Sequence, residues 1–325
     1  MKVKSIALFS GGLDSILAVK VIQEQGIDVL GITFETPFFN AKKSVEISKG
    51  IGISILTINI TEEHLAMLKA PRYGYGRNMN PCIDCHTLML NIAGRKMEEL
   101  GADFLFTGEI LGQRPMSQGK QSLHIVAKNS GYGGYILRPL SASLLPATIP
   151  EIEGKVDREK LFNIQGKSRK RQIEMAKKYG ITDYSTPAGG CLLTDPMFSK
   201  RLKDLFEHRK DFKIRDIELL KYGRHIRLNE KTKIIVGRNR SDNTAIQNFS
   251  EDEDTVITMK GFPGPTVLIP HGCDDKTLDR AAAICALYSD APDSEEVEAG
   301  CEIGTTVKPI STTAAKREDV KELII

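Results

Sequence analysis

A short apolar run, a glycine turn and the start of a helical pattern follow one another in the sequence Ile6-Ala7-Leu8-Phe9-Ser10-Gly11-Gly12-Leu13-Asp14-Ser15-Ile16-Leu17. The apolar run predicts a buried strand, and the apolar spacing after Asp14 predicts a helix over 14–25. Glycines let the backbone pass close to an anion, and the free amides at a helix N-terminus favour phosphate. No lysine follows and the spacing is short, so this is not the GxxxxGK[ST] loop. The stretch therefore predicts a different phosphate-binding turn between a strand and a helix.

The alternation of strands and helices continues beyond this turn. The sequence predicts strands over 29–34, 53–60 and 104–106, and helices over 43–50 and 87–100. Such alternation with short turns implies the α/β class, with a parallel sheet and helices on both faces. Ligands of these sheets bind at the carboxyl ends of the strands, where Ser10, Phe34 and Thr107 are expected.

The composition limits the class of protein. The chain has 325 residues, of which 41% are hydrophobic and 27% charged, which is typical of a globular protein of about two domains. No apolar stretch reaches the roughly 18 residues that a membrane span needs, and no signal-peptide pattern begins the chain. We therefore expect no membrane association and a cytoplasmic location.

The pattern changes near Pro196, which predicts a catalytic domain over 1–196 and a smaller α+β domain over 197–325. Residues 200–240 contain 14 Lys and Arg against 6 Asp and Glu, a net charge of +8. Residues 241–325 contain 7 against 17, a net charge of −10. A basic block beside an acidic segment is typical of a surface for a polyanion, although charge alone favours an ordinary solvated face.

The six cysteines of a cytosolic chain point to metal or redox chemistry before disulfides. Cys82 and Cys85 form a C-x-x-C pair in a predicted loop before a helix, and Cys191 stands apart in the turn Gly189-Gly190-Cys191. His86 is adjacent to Cys85 and therefore poorly placed as a fourth zinc ligand. Three thiolates suit an iron–sulfur cluster with one open iron, but the spacing equally allows a zinc knuckle or a redox pair. The other thiols are expected to be ordinary small side chains: Cys273, Cys285 and Cys301.

The run Ser10-Gly11-Gly12-Leu13-Asp14-Ser15 resembles the pyrophosphatase loop of the PP-loop ATP pyrophosphatases, which adenylate a substrate and release pyrophosphate. The resemblance implies a PP-loop, adenine nucleotide alpha hydrolase-like fold, with ATP and Mg²⁺ bound at the loop. The residues expected to bind ATP are Ser10, Gly11, Gly12, Asp14, Ser15, Phe34 and Gly108.

Later motifs resemble tRNA thiouridine synthases: Asn80-Pro81-Cys82 with Cys85, Gly101-Ala102-Asp103, Thr107-Gly108-Glu109, Arg138-Pro139-Leu140 and Gly189-Gly190-Cys191. Members that work through a persulfide commonly carry Asp where this chain has Cys82, so the chain resembles the members that hold a [4Fe-4S] cluster with three cysteines. The resemblance implies Cys82, Cys85 and Cys191 as cluster ligands and, with Asp14 and Glu109, as catalytic residues. It implies transfer of sulfur, from sulfide or a persulfide donor, to an adenylated tRNA uridine. The run from Thr107 to Gln113 slightly favours 4-thiouridine over 2-thiouridine.

The stretch Gly223-Arg224-His225-Ile226-Arg227-Leu228, with Ile234-Ile235-Val236-Gly237-Arg238-Asn239, resembles the NFACT-type RNA-binding domain. The residues expected to contact tRNA are Arg169, Lys170, Arg224, Arg227 and Arg238. Two other functions stay open: an enzyme that adenylates a small molecule, and a non-catalytic RNA-binding factor with a retained nucleotide fold. The basic C-terminal region argues against the first and the intact Ser10–Ser15 loop against the second. The sequence does not decide the oligomeric state.

Overall fold

The structure is a computed structural model that describes residues 2–184 and 190–325. The chain forms two compact units, Met1–Thr194 and Asp195–Ile325, which meet close to the boundary predicted at Pro196. Gly189, part of the predicted turn before Cys191, lies outside the described residues. None of the helices in the described ranges combines the length and the hydrophobicity that crossing a bilayer would require.

A five-stranded sheet, parallel throughout, forms the frame of the N-terminal unit. Its strands are β1 (Lys4–Leu8), β2 (Asp28–Glu35), β3 (Ser54–Asn59), β4 (Phe104–Thr107) and β5 (Ile136–Leu137). They are arranged in the order β3-β2-β1-β4-β5. The chain leaves β1 towards β2 and β3 and later returns to its other side as β4. The carboxyl ends of β1 and β4 therefore border the topological switch point, where ligands of such sheets bind.

Helices cover both faces of this sheet because successive strand residues point to opposite sides. The helices are α1 (Leu13–Gln23), α2 (Lys42–Ile51), α3 (Thr61–Lys69), α4 (Cys82–Glu99), α5 (Lys120–Ser130), α6 (Ile149–Ile152) and α7 (Lys170–Lys178). Phe104 and Phe106 belong to a core cluster with residues of α1 and α7, whereas Leu105 belongs to a cluster with residues of α4 and α5. The predicted α/β fold with helices on both faces is confirmed.

The start of α4 differs from the prediction. The loop expected at Cys82 and Cys85 is wrong, because α4 begins at Cys82 and both cysteines lie in its first turns. Pro81 stands immediately before the helix, where a fixed φ and a missing N–H cost nothing. A separation of three residues brings the two thiols to one face of α4.

The C-terminal unit is built on a six-stranded antiparallel sheet in the order β11-β10-β8-β9-β7-β6. Its strands are β6 (Arg224–Arg227), β7 (Lys233–Val236), β8 (Thr255–Met259), β9 (Val267–Ile269), β10 (Val297–Ile303) and β11 (Thr306–Thr312). Its helices are α8 (Pro196–His208), α9 (Ile214–Leu219), α10 (Arg240–Asn248), α11 (Asp275–Leu287) and α12 (Arg317–Lys321). Buried alanines and Ile284 of α11 pack on one face of the sheet. The predicted α+β class of this part is confirmed.

Candidate nucleotide and sulfur site

The turn between β1 and α1 is shaped to receive an anion. Gly11 adopts a left-handed φ of 66°, and a Cβ there would lie 3.1 Å from Ser44 Cα of α2. Gly12, the N-cap of α1, has no side chain to occupy the first-turn amides. Ser15 Oγ donates to the Gly12 carbonyl (2.8 Å) and lies 3.4 Å from Ser10 Oγ. The turn thus combines open amides, two hydroxyls and the positive end of a helix dipole, which together suit phosphate.

Gly108, the residue after β4, packs directly on this turn. A Cβ at Gly108 would lie 2.5 Å from both Asp14 C and Ser15 N, which no neighbouring backbone could accept without moving. The residue after β4 is therefore in van der Waals contact with the first turn of α1. Any side chain larger than hydrogen at this position would displace the phosphate-binding turn.

Asp14 lies in a partly buried polar cluster in which several atoms lack hydrogen-bond partners among the described residues. Burial raises the pKa of the Asp14 carboxyl, while Gln113, Arg169, Arg114 and Gln172 act in the opposite direction. Asp14 Oδ1, Arg169 Nε and both amide atoms of Gln172 are buried and make no hydrogen bond to any described residue. Buried polar groups are rarely left unpaired, so this cluster fits a polar ligand with both acceptors and a cation. The residues present fit ATP phosphates with Mg²⁺, which prefers carboxylate and phosphate oxygens.

Arg169 and Lys170 are placed differently from each other. The predicted helix over 168–179 begins at Lys170, and Gln172 and Ala176 of α7 are buried. Arg169 therefore lies beside Asp14, whereas Lys170 is exposed. Phe34 is also placed away from the expected surface, because its side chain is 7% exposed and packs in the core with Ile6 and Ile60.

The three candidate cysteines are electrostatic neighbours. Burial raises the pKa of Cys85 well above its ordinary value, and the nearby Cys191, Cys82 and Asp84 add to the shift. Burial likewise raises the pKa of Cys191 to about 11, against the opposing effect of Arg114 and backbone amides. All three are free thiols of intermediate exposure. Three thiolates so close together would repel one another, and a bound cation would offset that repulsion. The three cysteines therefore fit a metal ion or a cluster.

The thiols do not form a finished metal site. Within residues 2–184 and 190–325, no group of three or more His, Cys, Asp or Glu side chains is placed to hold a metal ion. Cys82 Sγ accepts a hydrogen bond from Asn80 Nδ2 at 3.3 Å. The three sulfur atoms are thus near enough to interact electrostatically but are not gathered around one point.

His64 was not expected at this site. Its Nε2 atom lies 3.5 Å from Cys85 Sγ, and its ring packs against Phe38 and Phe39. The His64 side chain is fully buried, and burial lowers its pKa to about 4. A neutral imidazole therefore borders Cys85 at neutral pH. No local pattern in the sequence indicates this contact, since α3 was not predicted and His64 is 21 residues from Cys85.

Glu109 lies at the centre of a buried ionic network. Its Oε1 is 2.8 Å from His86 Nδ1, and its Oε2 accepts from Arg138 Nε at 3.0 Å and from Thr107 Oγ1 at 3.1 Å. Burial raises the pKa of Glu109, but Arg138 and His86 outweigh it and lower the pKa to about 2. Glu109 is therefore ionised at any physiological pH, with both oxygens occupied.

The three candidate arginines of the C-terminal unit each have a partner. Arg227 donates from Nε and Nη2 to the Asp204 carboxylate (2.9 and 2.5 Å), and its side chain is 18% exposed. Arg238 pairs with Asp242 at 2.6 Å and is the more exposed of the two. The Arg224 guanidinium lies 4.7 Å from the centre of the Tyr288 ring.

Two family models match the chain, one within each of its units. Residues 1–144 match the family described as thiamine biosynthesis protein (ThiI). Residues 223–324 match the NFACT protein RNA binding domain. These matches confirm the resemblance to the PP-loop tRNA thiouridine synthase type in the N-terminal unit and to the NFACT-type RNA-binding domain in the C-terminal unit.

Curated relatives share part of the chain. The tRNA-specific 2-thiouridylase MnmA of Clostridium acetobutylicum is 32% identical over 127 residues, which cover 33% of this chain and 36% of that protein. MnmA of Listeria monocytogenes serotype 4b is 24% identical over 219 residues, covering 62% and 56%. The chain spans about a third of the length of the first relatives it matches. A solved 4-thiouridine synthetase–RNA complex with bound ATP is 22% identical, covers 59% of this chain and 45% of that chain, and has a TM-score of 0.40.

Proposed function

We propose that this chain, which joins a PP-loop unit of the thiouridine synthase type to an NFACT-type RNA-binding unit, catalyses ATP-dependent thiolation of a tRNA uridine in the cytoplasm. One observation carries the proposal: Gly108 packs on the Asp14–Ser15 peptide, and the next residue, Glu109, lies 2.8 Å from His86, which follows Cys85 in α4. Nucleotide chemistry and sulfur chemistry can therefore operate in one site. We favour 4-thiouridine as the product, with 2-thiouridine as the alternative outcome of the test.

The reaction divides into two steps that the site residues support. The uracil carbonyl oxygen attacks the α-phosphate of ATP, and pyrophosphate leaves. The amides of the Ser10–Ser15 turn stabilise charge on the departing pyrophosphate, and Asp14 would hold Mg²⁺, which supplies Lewis-acid assistance. A sulfur nucleophile then adds to the ring carbon, AMP leaves with the former carbonyl oxygen, and a thiocarbonyl forms. Arg114 and Arg169 offset negative charge in both steps.

Cys82, Cys85 and Cys191 would hold the group that delivers sulfur. A [4Fe-4S] cluster on these thiols would supply an open iron for sulfide. A cysteine persulfide is the alternative donor, and a second cysteine thiolate would then cleave the S–S bond, so that a disulfide forms as the thiocarbonyl is released. His64 packs a neutral imidazole against Cys85. Glu109 has both oxygens occupied, so we propose that it positions His86 and Arg138 rather than exchanging protons itself.

Mass spectrometry of nucleosides from tRNA tests the function directly. A strain that lacks this chain should lose one thiolated uridine, and the retention time of the lost nucleoside distinguishes 4-thiouridine from 2-thiouridine. Complementation with the unaltered chain should restore that nucleoside, whereas the Asp14→Asn variant should not. An unchanged nucleoside profile would contradict the proposal.

Anaerobic purification tests the cluster. We expect brown protein with about four irons per chain, and a loss of colour in Cys82→Ser, Cys85→Ser and Cys191→Ser. Cys273→Ser is the matched control, because Cys273 is also a free thiol of intermediate exposure but lies in the C-terminal unit. Colourless protein that retains one zinc would contradict the cluster without affecting the thiolation assay.

A further inference from the structure

The C-terminal unit contains a small cavity lined by residues of α8, α9, β6, β7 and the segment after β9. Its volume of about 50 Å³ has room for a few water molecules or one tetrahedral oxyanion. Six cationic or imidazole side chains line it: His208, Arg209, Arg227, Lys231, Lys233 and His271. Asp216 is the one carboxylate in the described lining.

Two of these cations share one carboxylate. Arg227 already occupies both oxygens of Asp204. Lys233 Nζ lies 3.2 Å from Asp204 Oδ2, yet it forms no hydrogen bond with any described residue. The Lys233 side chain is 10% exposed. A buried ammonium with an incomplete set of acceptors is costly, and an oxyanion in the cavity would complete that set.

Two further nitrogen atoms in the lining are also buried without hydrogen-bond partners among the described residues. They are Arg209 Nε and His271 Nε2. Arg209 Nε is 3.8 Å from Asp211 Oδ1, and His271 Nε2 is 3.4 Å from Asp216 Oδ1. The three unsatisfied nitrogens come from separate parts of the chain, before α9, in β7 and after β9. All three residues line the cavity, so an acceptor bound in the cavity could receive hydrogen bonds from their nitrogen atoms.

We propose that this cavity is a binding pocket for a phosphate group of RNA. Phosphate oxygens match the cationic lining and the unsatisfied nitrogens. RNA is favoured as the source of the phosphate because most of the lining residues belong to the basic block of residues 200–240 and Lys231 at the pocket's edge is exposed. The choice of RNA rests on the proposed function, whereas the binding of phosphate itself does not.

Inorganic phosphate is the first probe, added to the full chain with ¹³C-labelled histidine side chains. The chain has six histidines, of which His208 and His271 line the pocket. We expect saturable shifts of these two signals, and no shift of His124, which is exposed on α5 of the N-terminal unit. Absence of a saturable shift would overturn the pocket.

Unmodified tRNA is the second probe, with affinity measured over a range of salt concentrations. The double variant Arg209→Gln, Lys231→Gln should bind tRNA about tenfold more weakly, and the slope of log K against log salt should fall by about one. Neither side chain is a member of the buried Asp204 ion-pair network, so folding should be retained. Lys308→Gln is the matched control, because Lys308 is exposed on β11 and should leave affinity and slope unchanged.

The two probes separate the possible outcomes. Competition between inorganic phosphate and tRNA in the wild-type chain, lost in the double variant, supports an RNA phosphate pocket. Histidine shifts with phosphate, combined with control-like tRNA affinity in the double variant, would overturn the RNA assignment in favour of a free small phosphate. If the chain does not thiolate tRNA, the proposed function is wrong, but the two binding results still decide whether the pocket binds phosphate and RNA.

Discussion

Gly108 is the residue on which the geometry of the nucleotide site depends most directly. Gly108→Ala places a methyl group 2.5 Å from the peptide between Asp14 and Ser15, so the phosphate-binding turn must move. We expect a stability loss of about 1–3 kcal/mol, as in other overpacked sites, together with a loss of at least tenfold in ATP-dependent pyrophosphate release. Urea unfolding and a pyrophosphate assay measure the two effects.

Gly50→Ala is the control for this substitution. Gly50 lies in α2 with nothing within 4 Å of the added Cβ, so alanine should keep activity and stabilise the helix by roughly 0.5–1 kcal/mol. Equal activity in Gly108→Ala and Gly50→Ala would show that the close packing of Gly108 on the turn is not needed for pyrophosphate release.

The sequence could indicate the site residues that are contiguous in the chain, and it could not indicate those that folding brings in. The turn at Ser10–Ser15 and the C-x-x-C pair are visible because their chemistry is local. Arg169 was expected to bind RNA because the sequence of a basic run does not show which way its side chains face. Its place beside Asp14 follows from the packing of α7 against α1. His64 could not be linked to Cys85 without the tertiary fold.

At the scale of elements, the Glu109–Arg138 pair joins the residues that follow β4 and β5. Both side chains are 7% exposed, so removing one partner leaves a buried charge unpaired. We expect Glu109→Gln or Arg138→Met alone to cost roughly 3–5 kcal/mol. The double variant should cost about 2 kcal/mol less than the sum of the two. A double-mutant cycle by urea unfolding measures this coupling.

Lys2→Gln provides the comparison with an exposed pair. Lys2 and Asp28 pair at the surface, with side chains 63% and 50% exposed, and surface pairs contribute at most about 1 kcal/mol. Strict additivity of Glu109→Gln and Arg138→Met would indicate that the network is not energetically coupled, and our positioning role for Glu109 would fail.

A second element-scale prediction concerns His225 of β6. The side chain is fully buried, and burial, with Lys233 and Arg201 nearby, lowers its pKa well below the ordinary 6.5. Below pH 6.5 the unfolded chain binds a proton that the folded chain does not. Stability should therefore fall as pH decreases from 6.5 towards the folded pKa, by up to about 1.4 kcal/mol per pH unit.

Urea unfolding at pH 7.0 and at pH 5.5 checks this effect. His225→Gln should remove that part of the pH dependence, whatever its effect on stability at pH 7.0. His124→Gln is the control, since His124 is exposed on α5. An unchanged pH slope in His225→Gln would mean that the imidazole is charged in the folded unit.

Some elements could be predicted and others could not, for reasons of side-chain pattern. The strands β1, β2 and β4 contain buried runs because both faces of the parallel sheet are covered there. The edge strand β3 has no fully buried residue, and its β-branched residues predicted it instead. By contrast, β10 contains Gly300 and two exposed glutamates in the pattern Val-Glu-Ala-Gly-Cys-Glu-Ile, and β11 is largely exposed. Neither has the alternation that predicts a strand, so pairing between them rather than residue type explains both.

For the whole molecule, the charge count acquires a structural meaning. The basic block of residues 200–240 runs from α8 through β7 to the start of α10, all within the C-terminal unit. Several of its cations are neutralised by acidic partners, as Arg227 is by Asp204 and Arg238 by Asp242. Net charge per segment therefore indicated which unit could bind a polyanion, but only the fold separates paired cations from those that line the phosphate pocket.

The two units should contribute separable functions, and opposite variants test this. Asp14→Asn removes the charge that would hold Mg²⁺, so pyrophosphate release should fall by about 100-fold or more while tRNA affinity stays within about twofold. The double variant Arg209→Gln, Lys231→Gln should do the reverse, weakening tRNA binding while pyrophosphate release at saturating tRNA keeps its rate. Binding isotherms and a pyrophosphate assay on the full chain measure both. Separate phosphate sites would leave tRNA affinity independent of the nucleotide turn. If Asp14→Asn also abolished tRNA binding, the binding of nucleotide and of tRNA would therefore depend on the same site.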